Sequence, residues 1–207
     1  MGICWCCFKR AQYDPLPSLN IKPQRKVVML GCSAVGKTAL TQQFVNQRFP
    51  TIYHPTVDQT WTRVIQVRGV EVELIVLDTC GQDELELFHS RYYIGTHGFI
   101  LVYAIDDVSS FAMMETVYQR VCDNVLYPTI VLVGNKSDRQ SHRKVTREQG
   151  QALANRWGCP FIESCAQQNE SANVVFGAIL DIILEREDSP TPTSGTSSSF
   201  LHKIMGT

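Results

Sequence analysis

Three absences narrow the reading of this 207-residue chain. Neither charge is in surplus: 19 Lys and Arg stand against 20 Asp and Glu, a formal net charge of -1. A general nucleic-acid binder needs a basic face to displace counterions from phosphates, so no nucleic-acid partner is expected. No stretch approaches the roughly 18–20 apolar residues that span a bilayer. The eight cysteines, at positions 4, 6, 7, 32, 80, 122, 159 and 165, form no repeated CxxC pair and no small disulfide framework, which points to a reducing, cytosolic compartment. The start is not expected to act as a signal peptide. Met1 to Phe8 is short for an apolar h-region, and Lys9 and Arg10 follow it instead of preceding it. The five cysteines from Cys32 onward are expected to be small buried side chains.

What is present divides into three parts. Residues 1–25 hold Pro15, Pro17 and Pro23 without periodicity and read as a tether. Residues 188–207 are rich in Ser, Thr, Pro and Gly; they bury too little apolar surface to offset ordering entropy, and read as a disordered tail. Residues 26–187 have the size of one domain and show no internal repeat. Within them, Lys26 to Leu30, Phe99 to Ile105 and Thr129 to Val133 are short apolar runs, as strands buried on both faces require. Gln59 to Val67 alternates and is joined to Val72–Leu77 through Arg68-Gly69, the pattern of an antiparallel hairpin. Residues 38–46, 109–124, 146–157 and 171–187 read as helices, with Ser109 and Ser171 as N-caps and Gly158 as a stop. Such alternation predicts a doubly wound α/β sheet with its ligand at the carboxyl ends of the strands.

Three motifs carry the chemistry. Gly31-Cys-Ser-Ala-Val-Gly36-Lys37-Thr38 matches GxxxxGK[ST], directly after a strand and opening a helix. Small residues let backbone N–H groups wrap a phosphate, Lys37 reaches the β- and γ-phosphates, and the Thr38 hydroxyl suits Mg²⁺. This motif alone leaves ATP and GTP open, and a switch or a kinase. Asp78 ends a strand inside DTCGQ. There it is placed to hold Mg²⁺ through water, with Gly81 to donate an unobstructed N–H to a γ-phosphate and Gln82 to orient an attacking water. Asn135-Lys136-Ser137-Asp138 follows the strand TIVLVG. The Asp138 carboxylate accepts from N1–H and the exocyclic amine of guanine, whereas adenine would set an acceptor against it. Asn135 is placed to tie this loop to the phosphate loop, and the Lys136 stem to cover the ring. Together the motifs favour guanine nucleotide.

With GCSAVGKT, YHPTV, DTCGQD, NKSD and ESCAQ in order and spacing, residues 26–187 resemble the Ras family of small GTPases. GQDE, GFILVYAI and FIES look most like its Rheb branch; Leu77 stands where Rab proteins usually carry tryptophan, and no Rho-type insert follows NKSD. The resemblance implies a P-loop G domain: a six-stranded, mostly parallel sheet with one antiparallel strand and helices on both faces. It implies a monomeric GTP-hydrolysing switch with GTP or GDP and Mg²⁺. The nucleotide would touch Ser33, Ala34, Val35, Gly36, Lys37, Thr38, Ala39, Phe49, Tyr53, Thr56, Gly81, Asn135, Lys136, Asp138, Cys165 and Ala166. Thr38, Thr56 and, through water, Asp78 would hold the metal, and Gln82, Lys37 and Thr56 would serve catalysis. Effectors would read residues 52–60 and 80–92, an exchange factor would load nucleotide, and segments 50–58 and 80–92 would change order between states. Without an arginine finger in cis, intrinsic turnover should be slow, and a GTPase-activating protein would raise it by roughly 10³ to 10⁵.

Three positions depart from the family. Ser33 stands where Ras itself has glycine, Cys80 replaces alanine, and Gln167 replaces a lysine. Cys80 would crowd the γ-phosphate, so either a slow GTPase or a GTP-loaded binding module is expected. The family also implies a C-terminal Cys-a-a-X box, but this sequence ends Ile-Met-Gly-Thr. The start, MGICWCCFKR, offers Gly2 for myristoylation, although Cys6 stands where Ser or Thr is usual, and Cys4, Cys6 and Cys7 for palmitoylation. Two lipid signals hold where one does not. The expectation is a lipid-bound N-terminus on the cytoplasmic face of a membrane.

Overall fold

The computed structural model describes residues 22–50, 56–81 and 90–188. Six strands, β1 (Gln24–Leu30), β2 (Gln59–Val67), β3 (Val70–Asp78), β4 (Gly98–Ala104), β5 (Ile130–Asn135) and β6 (Phe161–Glu163), form one sheet in the order β2-β3-β1-β4-β5-β6. All neighbours are parallel except β2 and β3, which pair antiparallel from Gln59↔Asp78 to Val67↔Val70. The hairpin forms because Arg68 and Gly69 take up the left-handed backbone (φ 52° and 80°) that a two-residue turn needs. The predicted sheet is the one observed.

Four helices cover both faces: α1 (Lys37–Asn46), α2 (Val108–Asn124), α3 (Arg147–Trp157) and α4 (Asn169–Asp188). Alternate residues of the central strands decide which helix goes where. Val27 and Met29 of β1, with Ile100 and Val102 of β4, pack against Leu40 and Phe44 of α1 and Phe176 and Ile179 of α4. Val28 and Leu30, with Phe99, Leu101 and Tyr103, meet Met114 and Val117 of α2 and Leu153 of α3 on the other face. All seven residues of β4 are buried, which explains the unbroken apolar run in its sequence.

Several expected boundaries are corrected. β1 begins at Gln24, inside the expected tether, because its pairing with β3 starts at Gln24↔Glu73. Ser109 is not an N-cap. Asp107 caps α2, its carboxylate accepting from the Ser109 amide at 3.0 Å and the Ser109 hydroxyl at 2.6 Å. An ionised carboxylate beside the positive helix end outcompetes a hydroxyl two residues further in. Ser171 lies within α4, where its hydroxyl accepts from the Cys165 amide at 2.9 Å. Thr146 precedes α3 as the cap of a capping box with Gln149, while Gly158 ends that helix as expected. β6 is three half-buried residues long, too short for a hydrophobic period to show. Of the interior cysteines only Cys165 is buried; Cys32, Cys80, Cys122 and Cys159 are half-buried. No described helix is long and apolar enough to cross a membrane.

Candidate nucleotide site

The loops leaving the carboxyl ends of β1, β3, β5 and β6 carry the four motifs GCSAVGKT, DTCG, NKSD and ESCA. After β1 the chain moves to one side of the sheet, and after β4 to the other, so a crevice opens between them. Gly31 can leave β1 only as glycine: its φ is +144°, and a Cβ there would collide with the Val102 carbonyl oxygen. Ala34 and Gly36 also have positive φ, 60° and 101°. Such a run of turned peptides points successive N–H groups inward. Gly36 caps α1 without any side-chain hydrogen bond, and the first turn of α1 has no acidic residue. The helix N-terminus therefore keeps donors and partial positive charge for an anion.

Lys37 closes this loop. Its ammonium donates to the carbonyls of Gly31 and Cys32, each at 2.8 Å, and burial pulls its pKa down to about 8 against the attraction of Asp78. Ser33 and Ala34 are exposed on the loop, whereas the Val35 side chain enters the core and leaves its backbone to the site. Asn135 fastens the β5 loop to the phosphate loop, as its sequence position suggested. Its Nδ2 donates to the Val35 carbonyl at 2.8 Å, and its Oδ1 accepts from the Ser164 hydroxyl at 3.1 Å. A Cβ on Gly36 would strike that same Nδ2.

Beside Lys37 the Thr38 and Thr56 hydroxyls lie 2.7 Å apart. Asp78 is fully buried, and neither carboxylate oxygen has a protein hydrogen-bond partner of normal geometry. Burial raises its pKa to about 6, opposed by the nearby Thr38 hydroxyl and Lys37 ammonium. One carboxylate with two hydroxyls is a hard oxygen donor set, sparse enough to leave places for water and phosphate, and so fits Mg²⁺. An orphaned buried carboxylate fits it better than it fits an apo protein.

Bordering the phosphate loop at Ala34 and Gly36, a cavity of about 300 Å³ is lined also by Phe49, Asn135, Lys136, Asp138 and Ala166. Phe49 is 42% exposed, Asp138 is exposed, and Ala166 is buried at the wall. Cys165 lies behind them, its thiol against Asp138, and burial followed by that carboxylate raises its pKa. Of the expected site residues, Tyr53 and Gln82 lie outside the described residues, as do Gly2, Cys4, Cys6 and Cys7. The others lie on these loops, at the strand ends and first turn of α1 that adjoin them, or, for Phe49 and Thr56, between α1 and β2. Gly81 packs so closely on the phosphate loop that a Cβ there would overlap the Ser33 hydroxyl and backbone.

The whole domain, loops included, also matches known proteins. The model of the Ras family matches residues 26–185. The chain belongs to the Ras family. It is 40% identical over 177 residues to the human GTP-binding protein Rheb, covering 84% of this chain and 95% of that protein. It is 39% identical over 170 residues to a GTP-binding protein Rheb homolog of Dictyostelium discoideum, covering 81% and 92%. A Rheb homolog of Drosophila melanogaster is 36% identical over 174 residues, covering 83% and 96%. This is a Rheb-like GTPase that binds GTP, GDP and Mg²⁺, acts as a signalling switch, and works with the effectors, exchange factors and activating proteins general to the family.

Sequence reasoning missed several residues of this GTPase. Ser164 orients Asn135. Thr79 donates to the Met29 carbonyl at 2.7 Å and so pins the DTCG segment to β1. Asp58, two residues after Thr56, accepts from the Cys80 amide at 2.7 Å and the Tyr92 hydroxyl at 2.6 Å, and pairs with Arg91. Nothing in the spacing of one carboxylate in PTVDQT signals these three donors, which come from elements up to 34 residues away.

Proposed function

We propose that this GTPase is a membrane-anchored switch that hydrolyses GTP slowly, with the roles below for its residues. The buried, unpartnered Asp78 carboxylate beside Lys37, Thr38 and Thr56 supports the reading most strongly. A site that keeps hydroxyls, a carboxylate and an ammonium desolvated is one in which a metal and polyphosphate complete the charge balance.

In this reading Lys37 and the amides of Ser33 to Ala39 cradle the phosphates and are already aimed when nucleotide enters. Thr38 and Thr56 would hold Mg²⁺ directly and Asp78 through water, and the ion would supply positive charge against the phosphates. Gly81 donates its N–H to the γ-phosphate, and Gln82 positions the attacking water. Phe49, the Lys136 stem, Cys165 and Ala166 enclose guanine, Asp138 reads its edge, and Tyr53 flanks the phosphates. Residues 52–60 and 80–92 are the effector surface. GTP turnover should be measurable, and Gln82→Leu should lower it by about tenfold or more. Equal, near-zero rates in both proteins would sink the hydrolytic reading.

A GTP-loaded, poorly hydrolysing module is favoured by one contact. The Ser33 hydroxyl already occupies the space beside the Gly81 Cα, where the γ-phosphate and water must be accommodated. Nucleotide extracted from protein purified from cells decides between the two: mostly GDP supports the switch, mostly GTP the module.

The anchor is assigned to the N-terminal tether, residues 1–25, with Gly2, Cys4, Cys6 and Cys7 as acyl sites and Lys9 and Arg10 toward anionic lipid. Residues 26–187 then act as the G domain and 188–207 as a tail. Gly2→Ala combined with replacement of all three cysteines should release most of the protein from the membrane fraction. Full retention would refute an acyl anchor.

A further inference from the structure

At the pole of the sheet opposite the nucleotide site, the last turns of α2, α3 and α4 surround an apolar groove of about 400 Å³. Tyr118, Cys122, Trp157, Cys159, Ile182 and Arg186 are among its lining residues. The groove is built, not a chance gap. Tyr118 and Trp157 stack with ring centroids 4.3 Å apart. Arg186 donates to the Tyr127 carbonyl and the Thr129 hydroxyl, each at 2.9 Å, and so fixes the loop that forms one wall. On that wall Leu126 and Tyr127 are 82% and 83% exposed. Two adjacent large apolar side chains left in water beside an apolar groove call for a cover.

The chain carries a segment suited to that place. The groove is lined by α4 at Ile182 and Arg186, and the tail leaves α4 after Asp188, two residues beyond Arg186. Residues 189–199 are eleven small, polar or proline residues, followed by Phe200-Leu201-His202-Lys203-Ile204-Met205. Those four apolar residues are the large hydrophobes beyond 188, spaced i, i+1, i+4 and i+5 in the sequence. Eleven residues of Ser, Thr, Pro and Gly composition correspond, at random-coil dimensions, to an end-to-end span of ~17–20 Å. That is enough to turn back along the last turns of α4, and it keeps the segment at about millimolar effective concentration.

We propose that Phe200, Leu201, Ile204 and Met205 are the occupant of this groove.

The test compares the full chain with one ending at residue 199, following alkylation of Cys122 peptide by peptide, with buried Cys165 as control. Truncation should speed labelling of Cys122 about fivefold and leave Cys165 and GDP binding unchanged. A synthetic peptide of residues 197–207 added to the truncated protein should restore protection. The same peptide with Phe200→Ser and Ile204→Ser should not. Equal labelling of the two proteins would overturn the proposal. So would faster labelling of both cysteines, which reports general loosening. Protection of the truncated protein by phosphatidylcholine–phosphatidylserine vesicles alone would assign the groove to lipid. Protection that rises with protein concentration would assign it to a second copy. Either result would overturn tail docking.

Discussion

Replacing Asp138 by asparagine should lower affinity for GDP and GTP by about 10³-fold and transfer the preference to xanthine nucleotides. Guanine offers two donors on one edge, N1–H and the 2-amino group. The Asp138 carboxylate, exposed on the cavity that Phe49 and Ala166 line, offers two acceptors to match them. The amide keeps one acceptor and sets an N–H₂ against a donor. One hydrogen bond to a charged acceptor is lost, at about 1.5–3 kcal/mol, a buried donor is left facing a donor, at about 1–3 kcal/mol, and a total of about 4 kcal/mol is roughly 10³ in affinity. Xanthine carries a carbonyl where guanine has its 2-amino group, so the amide N–H₂ finds an acceptor there. Equilibrium binding of GDP and xanthosine diphosphate to both proteins checks the exchange. Unchanged GDP affinity would show that Asp138 does not read the base. General weakening without the gain for xanthine would show that the substitution damages the loop. The Ser164–Asn135–Val35 chain of hydrogen bonds guards against that second outcome, because it holds the loop without Asp138.

The contrast between Asp138 and Asp58 shows what was legible in the sequence. The role proposed for Asp138 rests on a local arrangement: a strand, then NKSD in consecutive positions, at the carboxyl end where a doubly wound sheet presents its ligands. The same holds for Lys37, where the turned backbone at Ala34 and Gly36 and the uncapped start of α1 are consequences of a contiguous loop. The strands of the core were legible for a related reason. Burial on both faces writes unbroken apolar runs, and β4 and β5 are buried throughout. Where burial is partial the pattern fades, as in the three half-buried residues of β6. Caps were misplaced by one or two residues because Asp107 and Ser109 are both good cap residues, and only the bond geometry decides between them. Asp58 was illegible for a deeper reason. Its role depends on donors brought to it by the fold, and no single-sequence pattern records them.

Asp58→Ala should accelerate release of bound nucleotide by about 30-fold and lower GTP turnover. The Asp58 side chain is 8% exposed and joins three pieces of chain. It follows Thr56 by two residues, accepts from the amide of Cys80 directly before Gly81, and holds Arg91 and the hydroxyl of buried Tyr92 at the far end of the second switch segment. Burial alone would raise its pKa, but the Tyr92 hydroxyl, the Cys80 amide and Arg91 together hold it below the usual carboxylate range, so it remains an acceptor at neutral pH. Its removal leaves the Cys80 N–H and the Tyr92 hydroxyl without that acceptor. Each lost bond to a charged group is worth about 1.5–3 kcal/mol, part of which water recovers. If about 2 kcal/mol of the remainder falls on the nucleotide-bound arrangement, release quickens about 30-fold. Tyr92→Phe removes a single donor and should give about fivefold, from about 1 kcal/mol. Release of a fluorescent GDP analogue in excess Mg²⁺, with melting temperature measured alongside, separates the two roles open to Asp58. A lower melting temperature with release and turnover within twofold of the parent would reduce Asp58 to a packing residue. Faster release in the order Asp58→Ala, Tyr92→Phe, parent is what a carboxylate joining both switch segments requires.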